Sequence, residues 1–271
     1  MLHKVVQLGG KSYFWLEKTN VVSMIQEYQV SGFRVREYEE LGSTNTEAER
    51  VGWSELEDKM VILTYRQTQG RGQVGNHWES EPGKNISMTV VFKPRELLAG
   101  QQFAVSMVIA LGACDFISRY VNGCFVKWPN DIYVGDRKIS GILIEHSIMG
   151  RYVGGSLCGI GVNINQEQFL SDAPNPVSLF QLLGRELPLQ EVLEELLECI
   201  GKRYEQIHRY AELENDFLRH MYRSTGIYDF EDERGIFRAS VGGIDEYGQL
   251  ILKDTDGRER VYAFKEVRYV C

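Results

Sequence analysis

The sequence predicts an α+β protein that ends in a small β-barrel. Three observations carry this reading. Short apolar runs of strand length recur through residues 60–165. Two longer stretches, residues 101–120 and 189–221, show helical spacing of apolar side chains. From Ser224 onward, short alternating runs are split by turn signals such as Asp254-Thr255-Asp256-Gly257. The composition shift places a boundary near residue 223, giving units 1–223 and 224–271.

Taken in order, residues 1–40 mix apolar and charged side chains, and residues 21–28 are expected as one short helix. Ser43-Thr44-Asn45 followed by Glu47 and Glu49 reads as a helix start, because N-cap side chains accept first-turn N–H groups and acids suit the helix dipole. Residues 60–65 form a short strand that feeds a glycine-rich loop. Residues 86–92 form a second strand. Residues 103–117 are the most apolar stretch; Ser106, Gly112 and Asp115 interrupt it, which suits a buried helix better than a membrane span. Residues 125–128 and 132–134 read as a hairpin around Pro129-Asn130, and residues 140–146 and 152–165 as strands. The pattern of Val192, Leu193, Leu196, Leu197, Ile200 and Tyr204 predicts one long helix or two.

The chain has 271 residues, 43% apolar, and a formal net charge of −8. That charge argues against bulk nucleic-acid binding, which draws affinity from phosphate neutralisation. The five cysteines and five histidines are scattered without metal-ligand spacing, so no protein-bound transition metal is expected. The scattered cysteines suit a reducing cytoplasmic compartment. The amino terminus has no secretory pattern.

Two segments carry the chemistry. Gly70-Arg71-Gly72-Gln73-Val74-Gly75-Asn76-His77-Trp78 offers backbone N–H groups to an anion, an arginine able to clamp a carboxylate or phosphate, and a flat ring. Lys127-Trp128-Pro129-Asn130-Asp131, followed by Lys138, adds two lysines, an asparagine and an aspartate within twelve residues. Each segment alone also reads as ordinary turn chemistry. The glycine spacing matches a dinucleotide fingerprint, but Pro82-Gly83 follows where a helix would have to open. No P-loop pattern occurs.

In this combined order the chain resembles the biotin–protein ligases, also called biotin–[acetyl-CoA-carboxylase] ligases. The resemblance covers residues 41–165 most strongly, through Ser43-Thr44-Asn45, Gln67, the glycine loop, Asn85, residues 127–131, Lys138-Ile139-Ser140-Gly141 and Gly159-Ile160-Gly161-Val162-Asn163. It implies a mixed-sheet catalytic domain like those of class II aminoacyl-tRNA synthetases and lipoate ligases, with an SH3-like barrel after it. It implies biotin as substrate, ATP and Mg²⁺ as cofactors, and a biotin carboxyl carrier protein domain as partner. Lys138 and Arg71 would be catalytic. Biotin would be held by Ser43, Thr44, Asn45, Gln67, Gly70, Arg71, Gly72, Trp78, Lys138 and Gly141. The nucleotide would be held by Arg71, Gln73, Trp78, Asn85, Lys127, Asn130 and Asn163. Asp131 would hold Mg²⁺ or orient the lysines.

The chain resembles the short class without an amino-terminal DNA-binding domain, so neither DNA nor membrane is an expected partner; a homodimer is left open. It departs from the family at Gln73, where arginine is common, and at Asn76, where a basic residue is frequent. The family's late arginine has no clear counterpart, and Arg268 is a candidate substitute. Competing readings are a lipoate–protein ligase, a non-catalytic carrier-binding module and an NAD-dependent enzyme. The absence of the lipoate loop pattern, the intact Arg71, Asp131 and Lys138, and Pro82-Gly83 weigh against them in turn.

Overall fold

The computed structural model describes residues 5–8, 11–14, 23–73, 76–171 and 173–270. In chain order the elements are β1 (Val5–Leu8), β2 (Lys11–Phe14), β3 (Met24–Val30), β4 (Phe33–Tyr38), α1 (Thr44–Val51), β5 (Met60–Thr64), β6 (Gly70–Arg71), β7 (His77–Trp78) and β8 (Ile86–Phe92). There follow α2 (Phe103–Ser118), β9 (Cys124–Lys127), β10 (Asp131–Val134), β11 (Arg137–Met149), β12 (Tyr152–Val162), α3 (Leu179–Leu183), α4 (Leu189–Tyr204) and α5 (Tyr210–His220). The last strands are β13 (Tyr228–Asp232), β14 (Gly235–Ile244), β15 (Leu250–Asp254), β16 (Glu259–Tyr262) and β17 (Arg268–Tyr269).

An eight-stranded mixed sheet runs β3-β4-β5-β8-β12-β11-β10-β9. Its β4–β5 pair is parallel, with α1 in the crossover, and its other pairs are antiparallel. Strand alternation gives the sheet two different faces. On β8, Met88, Val90 and Phe92 join the large core beneath α2 and α4, while Val91 joins a smaller core with Ala48 of α1. On β12, Cys158, Ile160 and Val162 enter the large core. The intervening Gly159 and Gly161 therefore turn to the other face, where the candidate site lies.

Helix α2 is almost wholly buried, which explains an apolar run with so little polar interruption. Gly112 lets α4 approach closely: a Cβ there would lie 2.8 Å from the Cα of Ile200. The 189–221 pattern resolves into two helices, α4 and α5. Arg203 ties three helices together, bonding Asp115 of α2 at 2.6 Å and Asp216 of α5 at 2.7 Å.

Residues 24–28 do not form the expected helix. They belong to strand β3, while residues 21–22 lie outside the described part. Ser31 and Gly32 both adopt positive φ, 47° and 79°, and join β3 to β4 as a two-residue hairpin. Pairing with β4 overrides the weak local helix preference, and Ser31-Gly32 was the legible signal. The scattered cysteines also meet in space: Cys114 of α2 and Cys124 of β9 have sulfurs 3.1 Å apart, both as buried free thiols.

Strands β13 to β17 form a five-stranded antiparallel sheet in the order β16-β15-β14-β13-β17. It docks on the first unit through Trp128, whose Nε1 donates to the Gly248 carbonyl at 2.8 Å. Phe103 packs against Gly248, where a Cβ would lie 2.2 Å from the ring.

Candidate active site

The site is a cavity of about 300 Å³ on the α1 face of the large sheet. One end is built by the chain entering α1. Residues 66–69 pair with residues 41–42 through Leu41 N–H to Arg66 O at 3.1 Å and Thr68 N–H to Leu41 O at 2.9 Å. This brings Gln67 beside the helix start, where its Oε1 accepts the Thr44 N–H at 3.0 Å. Ser43 stands at the N-cap position but makes no side-chain capping bond. Its hydroxyl is therefore not committed to the helix, although the residue type suggested a cap.

A buried network stiffens this end. Thr89 Oγ1 donates to Asn45 Oδ1 at 2.6 Å and lies 2.8 Å from Thr44 Oγ1. Asn45 Nδ2 donates to Glu145 Oε2 at 2.8 Å. The absent side chain of Gly159 makes room for Asn45, because a Cβ there would lie 2.3 Å from Asn45 Oδ1.

The glycine loop is a narrow hairpin, with Gly70 opposite Trp78 and Arg71 opposite His77. Gly70 is required by close approach: a Cβ would sit 2.4 Å from the Trp78 carbonyl oxygen. The hairpin delivers the Trp78 indole onto a floor made by Gly141 and Gly161, which are paired across β11 and β12. Trp78 Nε1 is buried without a hydrogen-bond partner.

Lys138 closes the opposite side. Its Nζ lies 2.7 Å from Asp131 Oδ2 and 5.9 Å from the centroid of the Trp78 ring. Its backbone is fixed by residues 175–177, through Lys138 N–H to Asn175 O and Val177 N–H to Lys138 O. Arg71, from the loop, bonds Glu145 Oε1 at 2.7 Å and Glu49 Oε1 at 3.4 Å. Lys138 and Arg71, with Lys265, thus face a cavity whose far end carries hydroxyl and amide groups. That is an arrangement for an organic ring at one end and anionic groups at the other.

Of the residues singled out in the sequence, Ser43, Thr44, Asn45, Gln67, Arg71, Gly72, Gln73, Trp78, Asp131, Lys138 and Gly141 line this cavity. Gly70 lies behind it as a packing glycine. Asn130 and Asn163 sit just beneath: each is buried with an unpartnered Oδ1, and Asn163 N–H bonds the carbonyl of Ile139, next to Lys138. Asn85 is fully buried away from the lining; its Oδ1 accepts the Ile164 N–H and its Nδ2 donates to Gln166. Lys127 also lies off the lining. Its Nζ rests 4.6 Å from the Tyr133 ring centroid and 5.4 Å from that of Tyr269.

Sequence reasoning missed Glu145, Phe264 and Lys265. Phe264 and Lys265 reach the cavity from the turn between β16 and β17, Lys265 at a φ of 73°. Arg268, the proposed stand-in for the family's late arginine, instead pairs with Glu231 at 2.5 Å and is not on the lining.

Comparison with known proteins points to one family. Residues 38–163 match the model of the biotin/lipoate A/B protein ligase family. A biotin–[acetyl-CoA-carboxylase] ligase of Paracoccus denitrificans is 31% identical over 240 residues, covering 82% of this chain and 95% of that one. A bifunctional ligase/repressor, BirA, of Bacillus subtilis is 26% identical over 275 residues, covering 96% of this chain and 83% of its own. The structure of a biotin protein ligase from Aquifex aeolicus in complex with biotin and ATP has a TM-score of 0.72 at 22% identity, covering 87% of this chain and 99% of that one, which establishes the shared fold. The chain therefore belongs to the biotin/lipoate A/B protein ligase family and is an enzyme of its biotin–protein ligase branch.

Proposed function

We propose that this enzyme joins biotin to ATP, forming biotinyl-5′-AMP and pyrophosphate, and then passes the biotinyl group to a lysine of a biotin carboxyl carrier protein domain. The observation that carries this is the placement of Lys138 and Arg71 on one cavity with Ser43, Thr44 and Gln67. A carboxylate is a poor acylating agent until its charge is removed and a better leaving group is attached, and linkage to AMP does both. In this reading the hydroxyls of Ser43 and Thr44 and the Gln67 amide pair with the ureido ring.

Lys138 sits where the biotin carboxylate attacks the α-phosphorus. Its ammonium, already positioned by Asp131 and the 175–177 segment, offsets the negative charge that grows on the phosphoryl oxygens. The same ammonium next polarises the acyl carbonyl as the carrier amine attacks and AMP departs. The work is positioning and fixed charge, with no covalent enzyme intermediate. The unpartnered Oδ1 atoms of Asn130 and Asn163 suit an exocyclic amine such as that of adenine.

Among the described residues no three His, Cys, Asp or Glu side chains cluster as a metal site. Asp131, on the cavity lining, would offer a carboxylate oxygen to a magnesium ion arriving with ATP. Such an ion would neutralise phosphate charge. Residues 1–223 would carry the chemistry, and residues 224–271 would complete the cavity mouth through Phe264 and Lys265.

The test is mass spectrometry of a purified carrier domain after incubation with the enzyme, ATP, Mg²⁺ and either biotin or lipoate. A single biotinyl addition with biotin alone is expected. ATP–pyrophosphate exchange that depends on lipoate and not on biotin overturns the proposal.

A further inference from the structure

Both terminal nitrogens of Arg71 are engaged by protein acceptors. Its Nη1 donates to Thr46 Oγ1 at 3.2 Å and to Glu49 at 3.4 Å, and its Nη2 donates to Glu49 at 3.4 Å and to Glu145 at 2.7 Å. One positive charge faced by two carboxylates offers no net attraction to a third anion. With the N–H groups of both terminal nitrogens engaged, a two-point clamp on a substrate carboxylate or phosphate requires Arg71 to give up one of these partners.

Glu145 is the partner of consequence. It makes the shorter contact, and it sits in β11, paired with Leu157 of β12, so its backbone is fixed by the sheet. Its two oxygens serve different ends of the cavity. Oε1 takes Arg71, and Oε2 takes Asn45 Nδ2, which belongs to the Thr89 network at the ring end. The carboxylate therefore links the group facing the ring to the group facing the anions.

We propose that Glu145 is a positioning residue that holds Arg71 ready beside the cavity and competes with the substrate anion for it. Arg71 transfers from Glu145 to the carboxylate or phosphate of the bound acid and its adenylate, and returns when the product leaves. Glu145 thereby weakens retention of the adenylate relative to an unrestrained arginine, and it keeps the loop arginine at the cavity when no ligand is present. The proposal rests on the reading of Arg71 as the anion-binding residue given above.

The test is calorimetric binding of a non-hydrolysable biotinyl-adenylate analogue that keeps its phosphate charge. The proteins are wild type, Glu145→Gln, Arg71→Ala and the double variant, with thermal melts on all four to confirm folding. Glutamine with its carbonyl oxygen toward Asn45 keeps that acceptor and turns its NH2 toward Arg71, which removes both the charge and the acceptor opposite the guanidinium. Glu145→Gln is expected to bind the analogue about three- to tenfold more tightly, since charge-assisted bonds to Arg71 are no longer contested. In the Arg71→Ala background the same change should alter Kd by less than about twofold, because the two residues act through one contact. A purely structural role for Glu145 would move both backgrounds alike.

Equal or weaker binding by Glu145→Gln beside a clearly weakened Arg71→Ala overturns the proposal alone. Wild-type binding by Arg71→Ala overturns the reading of Arg71 and the proposal with it. Glu49→Gln, at the longer contact, should tighten binding less than Glu145→Gln; the reverse order would reassign the competing role to Glu49.

Discussion

Gly141 and Gly161 face one another across β11 and β12, and the Trp78 indole lies on the floor they make. A Cβ on Gly161 would come within 2.3 Å of the indole, and one on Gly141 within 2.9 Å. Both contacts are with the ring itself, so a methyl group at either place has to move Trp78.

Gly161→Ala is therefore expected to leave the fold intact, because Gly161 has no positive φ that alanine would strain to adopt, and to reduce adenylation by about a hundredfold, the cost of misplacing an active-site group by roughly an ångström. Gly141→Ala should do less, following its longer contact. ATP–pyrophosphate exchange and tryptophan fluorescence read the two effects. Unchanged exchange together with a shifted emission would show that Trp78 is not needed where it lies.

Lys138→Ala should lower adenylate formation by roughly a hundredfold or more, the size expected for removing one fixed charge at a developing anion. Stability should change by about 1 kcal/mol or less, because Lys138 and Asp131 are both partly exposed. Single-turnover adenylation alongside a thermal melt separates the two.

Gln73 lines the cavity and brings no charge to it. Gln73→Arg is expected to slow escape of biotinyl-AMP by a modest factor, about two- to tenfold, since a charge-assisted bond is roughly twice as strong as a neutral one. Gln73→Gly should speed escape. Three equal dissociation rates would make Gln73 a bystander.

Asp216 gives a pH signature. Burial pulls its carboxyl upward, but hydrogen bonds from Arg203 and Arg219 outweigh burial and hold its pKa below the ordinary value of 3.8. The folded state then binds fewer protons than the unfolded state, so stability rises with pH through this window. The contribution is complete above 3.8 and is lost as pH falls through the folded value. Asp216→Asn should lower the urea midpoint at pH 7, and the gap to wild type should close on acidification.

The Cys114–Cys124 pair should be inert in the native state. The thiol–thiol hydrogen bond shared with Cys114, and then burial, favour the protonated form and push the Cys124 thiol far above its ordinary pKa, so the reactive thiolate is not formed. Iodoacetamide at pH 8 should leave both cysteines unmodified until denaturant is added, as read by peptide mass spectrometry.

The sequence by itself determined what is local or periodic. Strand β8 was readable from its alternation, α2 from its apolar stretch, and the β9–β10 hairpin from Pro129-Asn130. The order Gly-Arg-Gly, Lys-Trp-Pro-Asn-Asp and Lys138 was specific enough to imply the family and most of the cavity lining, because side chains that must meet one ligand are constrained in type and spacing. Tertiary structure alone decided what depends on pairing and on approach between distant segments. Residues 24–28 became a strand because β4 offered a partner, a fact absent from their own periodicity. Glu145 became part of the site because strand alternation turned it to the same face as Gly141, and Arg71 and Asn45 arrived there from segments 74 and 100 residues away. Phe264 and Lys265 entered because a second sheet docks at Trp128 and Gly248. Contacts of that range are set by packing of the whole chain, and no local pattern records them.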